Sequence, residues 1–415
     1  MRITVIVAAL LSISACGVGQ NTVEKPEACW LETSKAILDG AMGGAGIRET
    51  RVWDSTVSAV LVRHPKGDVL IDTGFSPNAE AQMNELPPDS RAFGLQIVSS
   101  AKDRKSILDV LKSVNEPPTQ IARIIMTHTH YDHLGGATQL TAPIYVASAE
   151  AKWMMEQEAH PTITPPSLVR AIEPRIRILA YDSGPYLGFN ESKDVYKDGT
   201  IVVVPLPGHT PGSQGIFLKL GKGRVFLIGD AADTLEAAER GLPKSSLIRA
   251  NTDFEPELAD ETTKRVAAFH LAHPEIALVP AHDRVAYAAV FGNPSNCISD
   301  FQATKEDSMA DQNEVLGKAP SPVIEVVTLK LKPGVTDTQF ALLDKKVQTT
   351  YMEKRPGFLS RESAPGSNND WVVIVHWQSI ADADASMKSF STAPATAEWM
   401  SMIVPNSMVM TRYGW

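Results

Sequence analysis

The sequence predicts an α/β layered domain followed by a smaller α+β domain. Three observations carry this prediction: the length of the chain, the alternation of strand-like and helix-like runs before residue 300, and a separate pattern after residue 322. A chain of 415 residues exceeds one ordinary domain. Its hydrophobic content of 43% with 21% charged residues is typical of a globular protein.

Short apolar runs alternate with amphipathic runs through residues 17–300, which we predict to form the first domain. Strands are predicted, in chain order, at VSAVLV, DVLI, IARIIMT, PIYVAS, RIRILAY, TIVVVPL, GIFLKL, RVFLIGD and IALVPA. Helices are predicted at DRKSILDVLKSVN, AEAKWMMEQEA and ELADETTKRVAAFHLA. Interleaved strands and helices are typical of an α/β layered domain. The glycine-rich run Gly40–Gly46 lies in the lead before these strands and is predicted to be flexible.

The chain changes character after residue 300. Residues 301–321 are mostly polar and lack periodicity, and the prolines Pro320 and Pro322 stand at their end, so they are predicted to be a linker. Residues 322–415 follow a strand-helix-strand-strand-helix-strand order, which is the ferredoxin-like arrangement. The runs KLKPGVTDTQF, RPGFLSRE and WVVIVHWQS resemble the dimeric α+β barrel proteins of the antibiotic-biosynthesis monooxygenase type. That resemblance implies a homodimer formed through this domain.

Residues 1–16 have the layout of an export signal. Arg2 precedes a mostly apolar run, and small residues precede Cys16. The segment resembles a bacterial lipoprotein signal, in which the terminal cysteine becomes lipidated. This implies a lipid anchor at the outer membrane, facing the periplasm. The alternative is a plain secretory signal with an incidental cysteine, which gives a soluble periplasmic protein.

Two cysteines, Cys29 and Cys297, remain after Cys16. Export brings a protein into an oxidising compartment, which permits a disulfide between them. Two free buried thiols are the other interpretation, and the sequence does not choose between the two.

The overall charge excludes one class of partner. The formal net charge is −9, the isoelectric point is about 5.6, and basic residues form no stripe along the chain. A nucleic-acid partner requires clustered lysine and arginine residues that neutralise phosphates. The composition therefore predicts no binding of nucleic acid.

The stretch MTHTHYDHLGG concentrates polar residues directly after an apolar run. His128, His130, Asp132 and His133 fall within six positions of a chain that has ten histidines. On an extended segment the first two point to one side, and a following turn presents the last two in another direction. Burying so many polar groups without a metal is costly. Two pairs of ligands aimed at neighbouring points therefore indicate a dinuclear metal site.

Three further candidate ligands stand where predicted strands give way to loops; they are His209, Asp230 and His282. Ligands that converge above a sheet usually come from such strand ends. With the four residues of the histidine-rich stretch, the sequence offers seven candidate metal ligands.

The motifs LIDTG, THTHYDHLGG, GHTPGS, GD and AHD occur in an order that resembles the metallo-β-lactamase superfamily. The resemblance covers residues 50–290 and implies an αββα sandwich with two metal ions between the sheet edges. It implies one metal held by His128, His130 and His209, a second held by Asp132, His133 and His282, and Asp230 as the bridge between them. It also implies that Asp72 orients the ligand loop without binding a metal itself.

The types of ligand bear on the metal and on the reaction. Imidazole and carboxylate ligands without cysteine suit Zn²⁺ and also accept Mn²⁺ or Fe²⁺. Two such ions about 3.5–4 Å apart share a hydroxide, since metal binding lowers the pKa of water from about 15.7 to about 7. The resemblance thus implies a hydrolase whose hydroxide attacks a carbonyl or phosphoryl centre, with Asp132 or Asp230 shuttling the proton.

The segments VLIDTGFSPN and PIYVASAEAKWMM resemble the N-acyl homoserine lactonases of this superfamily, which implies a lactone or related small-molecule ester as substrate. Those lactonases carry a tyrosine three residues after the bridging aspartate, where this chain has Asp233. An arylester or organophosphate hydrolase of the same superfamily is the alternative. A catalytically silent binding protein is a further alternative, which the complete ligand set disfavours.

A substrate pocket is predicted near the long segment between His133 and His209. Trp153, Met154 and Met155 are candidates to line an apolar acyl or aryl pocket together with Asp233. The same three residues also fit plain core packing, because methionine and aromatic residues at helical spacing commonly fill cores.

Overall fold

The computed structural model describes residues 25–47, 52–302, 323–390, 393–405 and 407–414. The chain divides into two compact units, residues 1–305 and 306–415, and this boundary falls inside the predicted linker. The predicted lipoprotein signal with Cys16 lies outside the described residues, as does most of the linker. Among the helices that the structure describes, none is long and apolar enough to cross a membrane.

Two β-sheets form the centre of the first unit. Its strands are β1 (Glu27–Asp39), β2 (Val52–Arg63), β3 (Asp68–Ile71), β4 (Ile121–Ile125), β5 (Ile144–Val146), β6 (Ile176–Ile178), β7 (Lys193–Asp194), β8 (Ile201–Pro205), β9 (Gln214–Leu220), β10 (Gly223–Gly229), β11 (Ile276–Pro280) and β12 (Cys297–Ile298). One sheet has the order β12-β1-β2-β3-β4-β5-β6, and the other has the order β11-β10-β9-β8-β7. Strands β3 to β6 run parallel, as do β10 and β11, and the other neighbours are antiparallel.

Helices pack against both sheets, and the last of them also contributes Tyr287 and Phe291 to the core between the sheets. They are α1 (Ala79–Gln82), α2 (Pro88–Ser100), α3 (Ile107–Ser113), α4 (Tyr131–Leu134), α5 (Ser148–Ala159), α6 (Pro166–Ile172), α7 (Leu235–Arg240), α8 (Ser246–Thr252), α9 (Pro256–Ala272) and α10 (Arg284–Phe291).

Alternation along the strands divides the apolar residues among several cores. Val60 and Val62 of β2 belong to the core between the sheets, which also contains Val203 of β8. Leu61, which points the other way, belongs to the core that α3, α5 and α6 cover. Phe226 of β10 packs against Phe269 of α9 in the third core. The four layers are helix, sheet, sheet and helix, as the motifs imply.

The prediction of a flexible N-terminal lead is wrong. Strand β1 pairs along its length with β2, and Gly40–Gly43 form a 3₁₀ turn in which Gly43 accepts a hydrogen bond from Thr234. Strand β1 was hard to recognise for two reasons. At one end both of its faces are buried, and Trp30 lies in the inner core. At the other end, polar residues such as Ser34 line a cleft. Its sequence therefore lacks the alternation that marks a strand with one buried face.

The second unit contains one antiparallel sheet. Its elements are β13 (Val323–Lys330), α11 (Asp337–Thr350), β14 (Phe358–Pro365), β15 (Asp370–Trp377), α12 (Ile380–Phe390), α13 (Pro394–Ser401) and β16 (Val409–Gly414). The strand order is β14-β15-β13-β16, and one face packs against the helices through residues such as Leu329, Trp371, Phe340 and Trp399. The order of strands and helices follows the predicted order. The ferredoxin-like family assignment stays a prediction.

A disulfide links Cys29 of β1 to Cys297 of β12 across a sequence separation of 268 residues. The two residues face each other in the antiparallel register of these strands, and Cys29 is fully buried. The structure therefore has the disulfide and not the two free thiols. The bridge ties the first strand of the unit to its last.

We predict that the double variant C29A/C297A has a free energy of unfolding about 2–5 kcal/mol lower than that of the native protein, because loss of a long-range cross-link frees the unfolded chain. Urea unfolding followed by circular dichroism measures the difference. The single variant C297A removes the bridge but keeps the buried Cys29 sulfur, so it separates the cross-link from core packing. Equal stability of the native protein and both variants would contradict the prediction.

Candidate metal centre

The seven candidate ligands all follow strands of the two sheets. The chain leaves β4 at Ile125 and runs through His128 and His130 into α4, which carries Asp132 and His133. The loops after β8, β10 and β11 contribute the other three ligands, which are His209, Asp230 and His282. Asp132 and His282 are half-buried, and the other five are buried. The strand ends therefore bring residues from four separate loops to one place.

Three imidazoles form the first cluster. The Nε2 atom of His209 lies 3.2 Å from Nε2 of His128 and 3.0 Å from Nδ1 of His130. Ligand atoms of these three residues all lie within 4.8 Å of one another, which is close enough to share one ion.

Two imidazoles and a carboxylate form the second cluster. The Nε2 atoms of His133 and His282 are 3.3 Å apart, and Oδ2 of Asp132 lies 3.4 Å from Nε2 of His282. Their ligand atoms also lie within 4.8 Å of one another. The second cluster contains the three residues that the resemblance grouped around a second metal.

The Asp230 carboxylate stands between the two clusters. Its Oδ2 atom is 3.4 Å from Nε2 of His209 in the first cluster and 3.2 Å from Nε2 of His282 in the second. Its Oδ1 atom is 3.4 Å from Nε2 of His133. The carboxylate of Asp230 is therefore within reach of ligand atoms of both clusters.

The outward nitrogen of three of these imidazoles contacts an acceptor. Nδ1 of His133 is 2.9 Å from Oδ2 of Asp72, and Nδ1 of His209 is 2.7 Å from Oδ1 of Asp253. Nδ1 of His282 is 2.9 Å from the backbone oxygen of Thr56. With a proton on Nδ1, His133 and His282 would each direct the Nε2 lone pair at a metal, and this arrangement is usual for histidine that binds a metal. The facing nitrogens of the imidazoles lie 3.0–3.3 Å apart, so one cation could contact several of them at once.

Asp72 is the supporting residue that the resemblance implied. It adopts a left-handed backbone conformation with φ of 54°, which aspartate tolerates better than most residues. Its Oδ1 atom accepts a hydrogen bond from the backbone nitrogen of Thr127, and its Oδ2 atom faces His133. Asp72 therefore fixes the start of the ligand loop and the orientation of one ligand.

The pKa shifts indicate surplus negative charge at the centre. Burial lowers the pKa of His128 and His130 well below the ordinary value. Burial also opposes protonation of His282, but the carboxylates of Asp230 and Asp132 outweigh it and raise its pKa to about 9. For Asp230, the neighbouring imidazoles overcome burial and hold its pKa well below the ordinary value. A bound cation would balance the carboxylates in the same way as these protonated imidazoles.

Glu150 is a supporting residue that the sequence analysis missed. This buried carboxylate on α5 accepts hydrogen bonds from the backbone nitrogen and the hydroxyl of Thr129, both at 2.7 Å. It also accepts bonds from the Thr210 hydroxyl at 2.6 Å and the Gly212 nitrogen at 3.1 Å. Glu150 therefore joins the loop of the first ligand motif to the loop of His209.

A sequence signal for Glu150 existed. It lies three and four residues before Trp153 and Met154, both of which are buried, so all three share the inward face of α5. An acidic residue on the apolar face of a helix requires a partner.

Lys244 and Asp253 also support the centre, and no motif marked them. The buried ammonium of Lys244 is 2.6 Å from Nδ1 of His209 and 3.1 Å from Oδ1 of Asp253. Burial alone would lower the pKa of Lys244, but Asp253 and Asp233 outweigh it and raise that pKa. The lysine is therefore charged, and it holds Asp253 against His209.

A cleft of about 700 Å³ opens onto the clusters. His130, Asp132, Asp230 and His282 contribute to its floor. Its apolar walls include Leu38 of β1, Trp53 and Val57 of β2, Phe75, Phe93 and Ile97 of α2, Ile163, and Ile248 of α8. The cleft can therefore hold an apolar group beside the candidate ligands.

The structure places only one of the four predicted pocket residues in this cleft. Asp233 lines it, whereas Trp153, Met154 and Met155 do not. Trp153 is buried behind the ring of His130, with ring centroids 5.6 Å apart. Met154 lies in the core under the larger sheet, and Met155 packs against that core. The helical spacing of these three residues reflects core packing.

Comparison with known proteins places the candidate ligands in a family context. The profile of the metallo-beta-lactamase superfamily matches residues 52–270, which contain every candidate ligand except His282. An N-acyl homoserine lactonase of Bacillus thuringiensis is 26% identical over 247 residues, which cover 57% of this chain and 85% of that protein. A probable metallo-hydrolase of Mycobacterium tuberculosis is 25% identical over 245 residues, which cover 54% of this chain and 73% of that protein.

Solved structures give a similar result. An N-acyl homoserine lactone hydrolase with N-hexanoyl-L-homoserine bound at its catalytic metal centre aligns with a TM-score of 0.48 and 22% identity. The alignment covers 64% of this chain and 96% of that protein.

We predict that Glu150→Gln weakens metal binding by about 10- to 100-fold, because an amide nitrogen cannot accept the bonds that hold one of the two ligand loops. Titration with Zn²⁺ against a competing chelator measures the affinity. Glu156→Gln is the matched control, since Glu156 lies on the same helix and is exposed. Equal affinity of the two variants would contradict a role for Glu150 in joining the loops.

Proposed function

The chain belongs to the metallo-β-lactamase superfamily and is a metal-dependent hydrolase, and from that premise we propose that it opens the ring of a lactone at a dinuclear zinc centre. The observation that carries this proposal is the apolar cleft whose floor contains Asp132, Asp230 and His282. An apolar wall buries an acyl chain, and the polar groups at its end receive the ester.

The ligand set supports zinc as the metal. Five imidazoles and two carboxylates, with no cysteine, suit Zn²⁺, and Mn²⁺ or Fe²⁺ are the alternatives. His128, His130 and His209 would hold one ion, Asp132, His133 and His282 the other, and Asp230 both. Bound zinc ions supply Lewis acidity, which polarises a carbonyl group and lowers the pKa of water.

The residues of the chain position the substrate and move a proton. Leu38, Ile97 and Ile248 would hold the acyl chain and exclude water from the floor of the cleft. Asp132 is the more exposed of the two candidate proton carriers, with 13% of its side chain accessible against 8% for Asp230. We assign proton transfer to the leaving alkoxide to Asp132 for this reason.

An arylester or organophosphate hydrolase is the second candidate function. Trp53, Phe75 and Phe93 line the same cleft, and such side chains would pack against an aryl group. The relative rates of hydrolysis of a lactone, an aryl ester and a phosphotriester separate this candidate from the lactonase.

We also propose that the protein is exported and anchored by a lipid on Cys16. The disulfide between Cys29 and Cys297 supports export, because such bonds persist in oxidising compartments. Mass spectrometry of the protein extracted from membranes would find the adduct on Cys16, and an unmodified Cys16 would refute the anchor.

The second unit is proposed to be a ferredoxin-like domain that forms a homodimer. Ile324 and Val326 of β13 alternate with buried residues and therefore lie on the sheet face opposite the helices. They pair with Tyr413 of β16 and Ile374 of β15, and Tyr413 is 57% exposed. These residues form an apolar surface that a second copy would cover.

We predict that Ile374→Arg converts the dimer to a monomer, because it places a charge in the middle of this surface. Sedimentation of the native and variant proteins measures the mass. Leu342→Arg is the control, since Leu342 is 72% exposed on α11 and lies in the helical layer. A monomeric native protein would overturn the proposed dimer.

For the proposed activity, we predict that the zinc-loaded protein opens N-acyl homoserine lactones faster than it hydrolyses an aryl ester, a phosphotriester or a cephalosporin. A chelator should abolish the reaction, and Asp132→Ala should lower kcat by about 100-fold or more, because the variant loses the proton carrier and a ligand of the second ion together. Asp182→Ala is the control, as this aspartate is 57% exposed on the surface. Turnover of the phosphotriester or the aryl ester without lactone opening would replace the lactonase by the second candidate.

A further inference from the structure

Asp233 is a buried carboxylate that lines the cleft beside the metal centre. Its exposure is 2%, and it shares the cleft with Asp230 and His282. Its Oδ2 atom is buried and has no hydrogen-bond partner among the described residues. An orphaned buried oxygen is costly, so such an atom in a cleft wall indicates a bond that a bound molecule completes.

The other side of the Asp233 carboxylate faces a fixed positive charge. Its Oδ1 atom is 3.7 Å from the ammonium of Lys244, which in turn lies 3.1 Å from Oδ1 of Asp253. Lys244 and Asp253 are themselves buried and in contact with His209. Burial raises the pKa of Asp233 to about 7, and Lys244 opposes that rise because an ammonium attracts the ionised form of a carboxyl group. Above that pH the group is mostly a carboxylate, which only accepts hydrogen bonds.

Two hydroxyls of the cleft are already engaged, whereas the buried hydroxyl of Ser34, like Oδ2 of Asp233, has no hydrogen-bond partner among the described residues. The hydroxyl of Thr252 donates to the backbone oxygen of Ile248, and the hydroxyl of Ser100 donates to that of Ile97. The carboxylate of Asp233 therefore offers the cleft a charged acceptor, which is stronger than these neutral hydroxyl oxygens.

We propose that Asp233 is a specificity-determining residue that accepts a hydrogen bond from an N–H group beside the carbonyl of the substrate. The protein then favours lactones and esters that carry an acylamino group on the α-carbon over those with a plain alkyl chain. The inference rests on the proposed hydrolysis of a carbonyl ester. It deepens that proposal by naming the group that distinguishes one ester from another.

The test compares matched substrates that differ in the N–H group. One pair is an N-acyl homoserine lactone and a γ-lactone with an alkyl chain of equal length. The other pair is the phenyl ester of an N-acylglycine and a phenyl alkanoate of equal length. The zinc-loaded full chain is assayed as the native protein and as Asp233→Asn, with Asp182→Asn as the exposed control.

In Asp233→Asn, a hydrogen-bond donor takes the place of the acceptor in the wall of the cleft. The amide oxygen of the variant is the atom able to face Lys244, so its NH₂ group faces the cleft and meets the N–H of the substrate. We expect the native protein to favour the N–H member of a pair by at least about 10-fold in kcat/KM. The preference should disappear in Asp233→Asn and persist in Asp182→Asn, while zinc content and melting temperature stay at native values.

Each outcome bears on the inference separately from the proposed lactonase activity. Preference within the ester pair, lost in Asp233→Asn, supports Asp233 even if neither lactone is opened. Turnover of either pair without preference by the native protein overturns the role of Asp233 and leaves the hydrolase intact. An equal loss of both members of a pair in Asp233→Asn also overturns it, and so does silence on all four substrates. Because the native protein alone reveals the preference, the test stands even if Asp233→Asn fails to fold.

Discussion

The convergence of five imidazoles within hydrogen-bond distance of one another and of carboxylates is the constraint on which the first unit depends. Nδ1 of His133 faces Asp72 and Nδ1 of His282 faces the backbone oxygen of Thr56, so a proton or a cation must lie between their Nε2 atoms if the two lone pairs are not to repel. Carboxylates crowd the same place, and among the described residues they are Asp72, Asp132, Asp230, Asp233 and Asp253. Lys244 is the buried ammonium set against them. The arrangement is stable as a cation site and would be costly as an ordinary core.

Two features of the fold hold the ligand loops in place. The strands deliver each loop to the same edge, and buried acceptors then hold the loops to one another. Glu150 joins the first ligand loop to the loop of His209, and Asp72 joins the end of β3 to the first ligand loop. A side chain at Gly212 would collide with the backbone of Glu150, so the close approach of that loop to α5 requires glycine. Displacement of either acceptor would therefore loosen ligands on two loops together.

The sequence predicted the ligands well because their pattern is local and chemically unusual. His128, His130, Asp132 and His133 occupy one short stretch, and the structure brings their side chains to the two clusters. Among the supporting residues, Asp72 was predicted, whereas Glu150, Lys244 and Asp253 were missed because their partners are remote in the sequence. Asp253 reaches His209 from 44 residues away, and no spacing in the sequence connects them. Glu150 was detectable as an acidic residue on an apolar helix face, but its partners were not.

The residues that line the cleft were also difficult to predict from the sequence. Methionine and tryptophan residues near the ligand motif were expected in the pocket, yet α5 directs Trp153 and Met154 into cores. Phe93 and Ile97 line the cleft instead, and they come from α2, far before the first ligand motif. Strand β1 supplies another wall, although its mixture of polar and apolar residues concealed it. Pocket walls are set by the packing of whole elements, which a local pattern does not encode.

The number of metal ions per chain tests the central claim most directly. Native mass spectrometry of the protein, saturated with Zn²⁺ and freed of excess metal by dialysis, counts the ions that remain bound. We expect two zinc ions per chain, because two clusters of three ligands share Asp230 as a bridge. A chain that retains one ion or none would contradict a dinuclear centre.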